Sequence, residues 1–102
     1  MKIYTVQSLN KYDYDFSVEL GRHGAFEDKD EAIEVAREEF KKLKLSLAKE
    51  IVLYSDKHEY PDEDSGGLYM EEDHERGYFC LSFGYEEDYE RHSIAVDEWE
   101  LD

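Results

Sequence analysis

The sequence predicts an α+β domain: an antiparallel sheet of four to five strands with one long helix packed on one face, in ββα-ββ order. Three observations carry this prediction. Apolar and polar side chains alternate strictly from Tyr12 to Leu20, apolar side chains recur every three or four residues after Asp28, and a continuous apolar run follows Gly77. The 102 residues, 40% of them hydrophobic, suit a single domain over 1–102.

The first two strands are predicted to form a hairpin. Lys2–Gln7 is a short run rich in β-forming residues, and Ser8–Lys11 supplies the turn. The alternation from Tyr12 to Leu20 then indicates a second strand with one buried apolar face and one wet face. Gly21–Gly24 is expected to end this strand.

A helix is predicted from Asp28 to about residue 49. Asp28 can accept hydrogen bonds from the free backbone N–H groups of the first turn, and Glu31 completes a capping-box pattern. One apolar stripe is expected to pack on the sheet, and it is too short for the alternative of a coiled-coil seam. The stripe consists of Ile33, Ala36, Phe40, Leu43 and Leu47.

The remainder is predicted to hold a long acidic loop and a second hairpin. The loop covers about 55–77, with a brief edge strand at Leu68–Met70, and Ile51–Tyr54 before it is either a strand or a last buried turn. Gly77–Gly84 is continuous enough for a central strand, and Tyr89–Val96 forms its partner.

The charge of the chain is its strongest indication of a role. The net charge is −16, and residues 55–102 hold seventeen acidic side chains against three basic ones. This imbalance opposes folding through self-repulsion, so it favours a basic partner. It argues against direct binding to nucleic acid or to an anionic membrane. Cys80 is the only cysteine, which indicates a reducing, cytoplasmic location. The chain is expected to be a monomer or a weak dimer.

Metal binding and catalysis have weak support. Four histidines (His23, His58, His74 and His92) lack metal-ligand spacing and are expected to be solvated surface side chains. Asp62, Asp64 and Asp73 fall on the spacing of an EF-hand loop, but the set lacks the bidentate glutamate, so no metal site is predicted and these residues are only weak candidates for cation ligands. No cofactor is expected.

No enzyme is expected either. Cys80 lies in an apolar strand, where a thiol usually serves as packing. Ser82 and Ser93 lack the surroundings of a nucleophile elbow.

Acidic residues interleaved with aromatic ones provide the candidate binding surface. They are expected at the two ends of the last hairpin, where carboxylates spread over roughly 20 Å can imitate backbone phosphates. Tyrosines there would anchor the contact. The predicted partner-binding residues are Glu71, Glu72, Asp73, Glu75, Tyr85, Glu86, Glu87, Asp88, Tyr89 and Glu90.

These observations favour a non-enzymatic protein-interaction domain that binds a basic protein surface, such as that of a nucleic-acid-binding protein. In size and charge the chain resembles the small acidic inhibitors of phages and mobile elements, which block nucleases, restriction systems or CRISPR effectors. That resemblance implies a nucleic-acid mimic and assigns no site residues. Two alternatives stay open: a housekeeping or regulatory domain whose acidity serves solubility, and a weak divalent-cation binder.

Overall fold

The computed structural model describes residues 1–12, 17–49, 67–84 and 89–101. These residues form one helix on a five-stranded sheet in the order β2-β1-β5-β4-β3, with all neighbouring strands antiparallel. The α+β prediction is therefore confirmed. The elements are β1 (Lys2–Tyr12), β2 (Ser17–Phe26), α1 (Lys29–Ser46), β3 (Gly67–Asp73), β4 (Tyr78–Gly84) and β5 (Glu90–Glu100).

The first hairpin is longer than predicted, and its turn lies elsewhere. Ser8–Lys11 is not a turn, because β1 continues through it and pairs with β2 on one side and β5 on the other. Gly21–Gly24 does not end β2, which runs on to Phe26. Pairing on both flanks outweighs the turn preference of Ser8 and Asn10. The connection at 13–16 lies outside the described residues.

The buried apolar face predicted for β2 is wrong. Val18 and Leu20 are 56% and 81% exposed, because they lie on an edge strand and face away from the helix. Alternation identifies the two faces of a strand, but it does not say which of them a second layer will cover.

A β-bulge in β2 changes the direction of its side chains. Thr5 pairs with Ala25 and Gln7 pairs with Arg22, so β2 has one residue more than β1 between these pairs. Gly24 lies within the extra length at φ +126°, where a side chain would be strained. Because of this extra residue, Arg22 and Ala25 both lie on the sheet face opposite the helix.

The helix begins as predicted. The Asp28 carboxylate accepts a hydrogen bond from the backbone N–H of Asp30 at 2.9 Å. At the other end, the N–H of Leu47 binds the carbonyl of Leu43. Ala32, Ile33, Ala36 and Phe40 are buried, and Leu43 and Leu47 pack at the margin of the core, which confirms the predicted stripe.

Removing the helix cap tests this local interaction. We expect Asp28→Ala to lower the free energy of unfolding by about 1 kcal/mol, because a helix N–H loses its partner. Asp30→Ala is the matched control, since it removes an acid from the same turn without removing the cap. Urea unfolding followed by circular dichroism measures both, and equal losses would contradict the assignment of Asp28 as the cap.

The hydrophobic core lies between the helix and the sheet. Phe40 of the helix stacks on Phe79 of β4 with 5.3 Å between ring centroids. Strand β4 is buried on both faces, since Cys80 and Ser82 on its other side are also fully buried. This confirms the central-strand prediction, and Cys80 lies in the interior of the domain. The core comprises Val6, Ala32, Ala36, Phe40, Phe79, Leu81, Phe83 and Ile94.

The predicted acidic loop is wrong for its last part. Residues 67–73 form the edge strand β3, which is longer than the expected Leu68–Met70 and pairs with β4 along its whole length. Charged side chains near the end of β3 are compatible with an edge strand, where they protect its open side. Residues 55–66 and Ile51–Tyr54 lie outside the described residues. No helix among the described residues is long and apolar enough to cross a membrane.

Candidate functional site

The described members of the predicted binding surface lie at two ends of strand β4. The β3–β4 turn is at one end, next to Tyr78, and Glu90 pairs with Phe83 at the other. Five residues of strand separate these positions, which corresponds to roughly 17 Å. Tyr85, Glu86, Glu87 and Asp88 lie outside the described residues.

Two of the acids on β3 have intramolecular partners. The carboxylate of Glu71 accepts a hydrogen bond from the hydroxyl of Tyr69 at 3.0 Å. The carboxylate of Glu72 lies 3.1 Å from the ammonium of Lys44 on the helix. The second contact joins β3 to the helix, and both contacts leave less of each carboxylate available to a partner.

The next two acids differ in their surroundings. Asp73 Oδ1 accepts the backbone N–H groups of Glu75 at 3.2 Å and Arg76 at 3.0 Å, so it stabilises the β3–β4 turn. The side chain of Glu75 points into solvent from this turn. Glu75 is therefore the member of this group most open to a partner.

The EF-hand interpretation does not agree with the fold. Residues 67–73 would form the second half of such a loop, but they are a strand paired with β4, and Asp73 is engaged in a turn. A strand that stays extended and paired over seven residues does not curve around an ion as the second half of an EF-hand loop does. Asp62 and Asp64 lie outside the described residues. The described ranges bring together no three histidine, cysteine, aspartate or glutamate side chains that could hold a metal ion.

Glu90 belongs to a buried network with His92. His92 is 3% exposed, its Nε2 donates to Glu90 Oε2 at 3.0 Å, and its Nδ1 lies 2.8 Å from Asn10 Oδ1. The ring also packs against Tyr12 and Phe83. Glu90 thus supports the buried ring of His92 and keeps about 21% of its own side chain exposed, and its role in partner binding stays a prediction.

The prediction that His92 is a surface side chain is wrong. His92 lies two residues before Ile94, which is buried on the same face of β5. The two-residue period of the strand therefore placed His92 on the same face as Ile94, but the polar side chain of histidine suggested a surface position. His74 is exposed as predicted, and it accepts a hydrogen bond from Arg37 at 3.0 Å. His58 lies outside the described residues.

His23 forms the arrangement closest to a catalytic group. Its Nε2 lies 3.0 Å from Ser8 Oγ, and its Nδ1 lies 3.7 Å from Glu39. His23 is partly buried, contrary to the prediction of a solvated side chain. Ser8 lies within a strand that is paired on both sides, so its backbone groups belong to the sheet. An acyl-transfer site also needs donors aimed at a developing oxyanion, so a contact between a histidine and a serine does not by itself define one.

Exposed acids from three distant parts of the sequence meet at one end of the molecule. Phe26, at the end of β2, pairs with Tyr4, which pairs with Glu98 near the end of β5. The carbonyl of Gly77 in the β3–β4 turn accepts the N–H of Val96 at 3.0 Å. We call this region the acidic end; it comprises the eight exposed acids Glu27, Asp28, Asp30, Glu31, Glu75, Asp97, Glu98 and Glu100.

The eight acids outnumber the described positive charges at this end, which are Lys2, Lys29, Arg76 and the amino terminus, 3.5 Å from Glu100. Lys2 lies 3.7 Å from Glu98, and both side chains are more than half exposed, so this pair contributes little to stability. Tyr4 lies beside the same carboxylate. Desolvation raises the pKa of Tyr4 above its ordinary value, and its hydrogen bond to Glu98 raises the pKa further. The phenol therefore stays protonated as a donor to the carboxylate.

The fold and this surface define a small α+β domain with a one-sided helix layer and an acidic end. Comparison with protein-family models, with curated proteins and with solved structures found no match. The function therefore has to be inferred from the charge and shape of the surface.

Proposed function

We propose that the chain is a non-enzymatic interaction domain that binds a basic protein surface, with its acidic end in place of nucleic acid. The observation that carries this proposal is the convergence of exposed acids from the helix start, the β3–β4 turn and the end of β5. Grouping like charges raises the electrostatic cost of folding, and a basic partner would relieve that cost.

The spacing of the acids supports mimicry. Glu98 and Glu100 lie on the same face of a strand, roughly 7 Å apart along it. The helix start adds a second row of carboxylates beyond β2. Trp99 is 51% exposed between these glutamates on the opposite face, and it can supply an aromatic anchor at the margin. The residues at 85–88 stay part of the proposal as a second acidic group.

The first experiment is capture of a partner. The immobilised chain is incubated with a nuclease-containing lysate at low and high salt, and bound proteins are then eluted with duplex DNA. We expect binding at low salt, loss at high salt and displacement by DNA, because the contact is electrostatic and the partner groove is one that binds phosphates. A partner retained in high salt and indifferent to DNA would contradict mimicry. Absence of any partner would favour the solubility interpretation.

The second experiment locates the surface. We expect the double variant Glu75→Gln, Asp97→Asn to weaken binding to the captured partner roughly 5- to 30-fold, which corresponds to about 1–2 kcal/mol from two interface charges. The control variant Glu19→Gln, Glu38→Gln also removes two exposed acids, but these lie away from the acidic end. Calorimetric titration measures both, after circular dichroism has verified folding. Equal weakening by the two variants would show that only total charge matters.

A further inference from the structure

The sheet face opposite the helix contains an open concavity of about 450 Å³. It lies between β2, β1 and the end of β5, away from the core. Its lining is largely apolar and includes Ile3, Ala25, Trp99 and Leu101. Trp99 and Leu101 are 51% and 47% exposed, so a considerable apolar area faces solvent here.

The register of the sheet explains how this lining forms. Ile3 pairs directly with Trp99 across β1 and β5. The bulge at Gly24 brings both Arg22 and Ala25 to the same face, which a regular strand would not do for residues three apart. The concavity therefore depends on the β-bulge as well as on the apolar side chains that line it.

The indole of Trp99 is held in a defined orientation. Its Nε1–H donates to Thr5 Oγ1 at 2.8 Å, and Gln7 Nε2 donates to the same oxygen at 3.3 Å. These bonds occupy the polar groups beside the ring, which are the Thr5 hydroxyl and the Gln7 side-chain amide. A ligand that contacts the indole would therefore meet mainly carbon atoms.

Among the described residues of the lining, Arg22 provides the one charged side chain. It forms no ion pair and no hydrogen bond with any residue in the described ranges, although the chain has 28 acidic residues against 12 basic ones. By contrast, Lys2 and Lys44 each lie within 4 Å of a glutamate carboxylate. A free guanidinium beside an apolar surface suits a carboxylate, which it can bind through two parallel hydrogen bonds.

We propose that this concavity binds a small aromatic carboxylate. The aromatic part would pack on the Trp99 indole between Ile3 and Leu101, and the carboxylate would bind Arg22. The volume is within the range of small-molecule sites and too limited for a long peptide. The negative charge of the chain does not prevent this. Glu98 and Glu100 face the other side of β5. Asp97 lies on the same face but two strands from Arg22, roughly 10 Å away, where charges are largely screened at physiological ionic strength.

The binding test uses 2-naphthoate as probe and 2-naphthamide as its neutral counterpart. Trp99 is the only tryptophan, so its indole N–H gives a single, assignable NMR signal. We expect 2-naphthoate to shift this signal and to bind roughly 10- to 100-fold more tightly than 2-naphthamide, since hydrogen bonds to a charged group stabilise by about 1.5–3 kcal/mol. Absence of any shift at millimolar 2-naphthoate would overturn the proposal.

Matched variants identify the role of Arg22. We expect Arg22→Gln to reduce the affinity for 2-naphthoate to that for 2-naphthamide. Arg76→Gln removes the same charge from the β3–β4 turn, outside the lining, and should leave binding unchanged. Equal affinity of the Arg22→Gln variant and the unmodified chain for 2-naphthoate would overturn the assignment.

Two further results would assign the concavity to another occupant and overturn the proposal. A shift of the Trp99 signal with protein concentration alone would indicate a second copy of the chain. Tighter binding of a short peptide with an apolar carboxyl-terminal residue than of 2-naphthoate would indicate a protein partner.

Discussion

Replacement of His92 by alanine is expected to lower the free energy of unfolding by about 3–5 kcal/mol. The change removes a buried ring from between Tyr12 and Phe83 and leaves a cavity. It also leaves the carboxylate of Glu90 and the amide of Asn10, both partly buried, without their shared partner. Unpaired buried polar groups carry their full desolvation penalty, so the two losses act together.

Chemical denaturation of the folded chain measures this loss. His23→Ala is the matched control, because His23 is partly exposed and belongs to a smaller network, and it should cost clearly less. A double-mutant cycle between His92→Ala and Asn10→Ala should show positive coupling, since each change removes the same contact. A loss below about 1 kcal/mol for His92→Ala would contradict the buried network.

Replacement of Gly77 by alanine is expected to cost about 2–4 kcal/mol. Gly77 has φ +71°, and a Cβ there would lie 2.7 Å from Val96 Cγ2 and 2.9 Å from Ile33 Cγ1. The strain of the left-handed conformation and the steric overlap both destabilise the variant. Because β5, the β3–β4 turn and the helix start meet at this point, the change should also disturb the acidic end.

A second substitution separates the two causes. Val96→Ala removes the nearer methyl group, so the double variant Gly77→Ala, Val96→Ala should lose less than the sum of the two single changes. The conformational part should persist, because it depends only on φ. Thermal unfolding of the single and double variants provides the comparison. Strict additivity of the two changes would show that a Cβ at Gly77 does not overlap the Val96 methyl group.

Local patterns predicted much of the fold. The helix start at Lys29 and its cap at Asp28 follow from spacing and side-chain chemistry within one or two turns, although the helix ends at Ser46 and not near residue 49 as predicted. Strand β4 follows from its continuous apolar run, which is typical of a strand buried on both faces. These features depend on residues that are close in the sequence, and the periodicity of apolar side chains is a pattern of such residues.

The errors have a common physical cause. The supposed turn at Ser8–Lys11 extends as strand because β2 and β5 pair with it on both sides. Val18 and Leu20 are exposed because the helix covers the other face of the sheet. Nothing in their own segment indicates which face that is. His92 is buried because Asn10 and Glu90 satisfy both ring nitrogens, and those partners come from two strands.

The sequence by itself determined the class of fold, the types of most elements and the excess of negative charge. The tertiary structure alone decided which charged side chains lie close to one another. The acidic end joins Glu27, Glu75 and Glu98, and the concavity joins Arg22 to Trp99. The physical reason is the strand order, which places β1 beside β5 and brings Met1 within hydrogen-bonding distance of Leu101. Such pairings depend on the packing of the whole sheet, and a local pattern does not encode them.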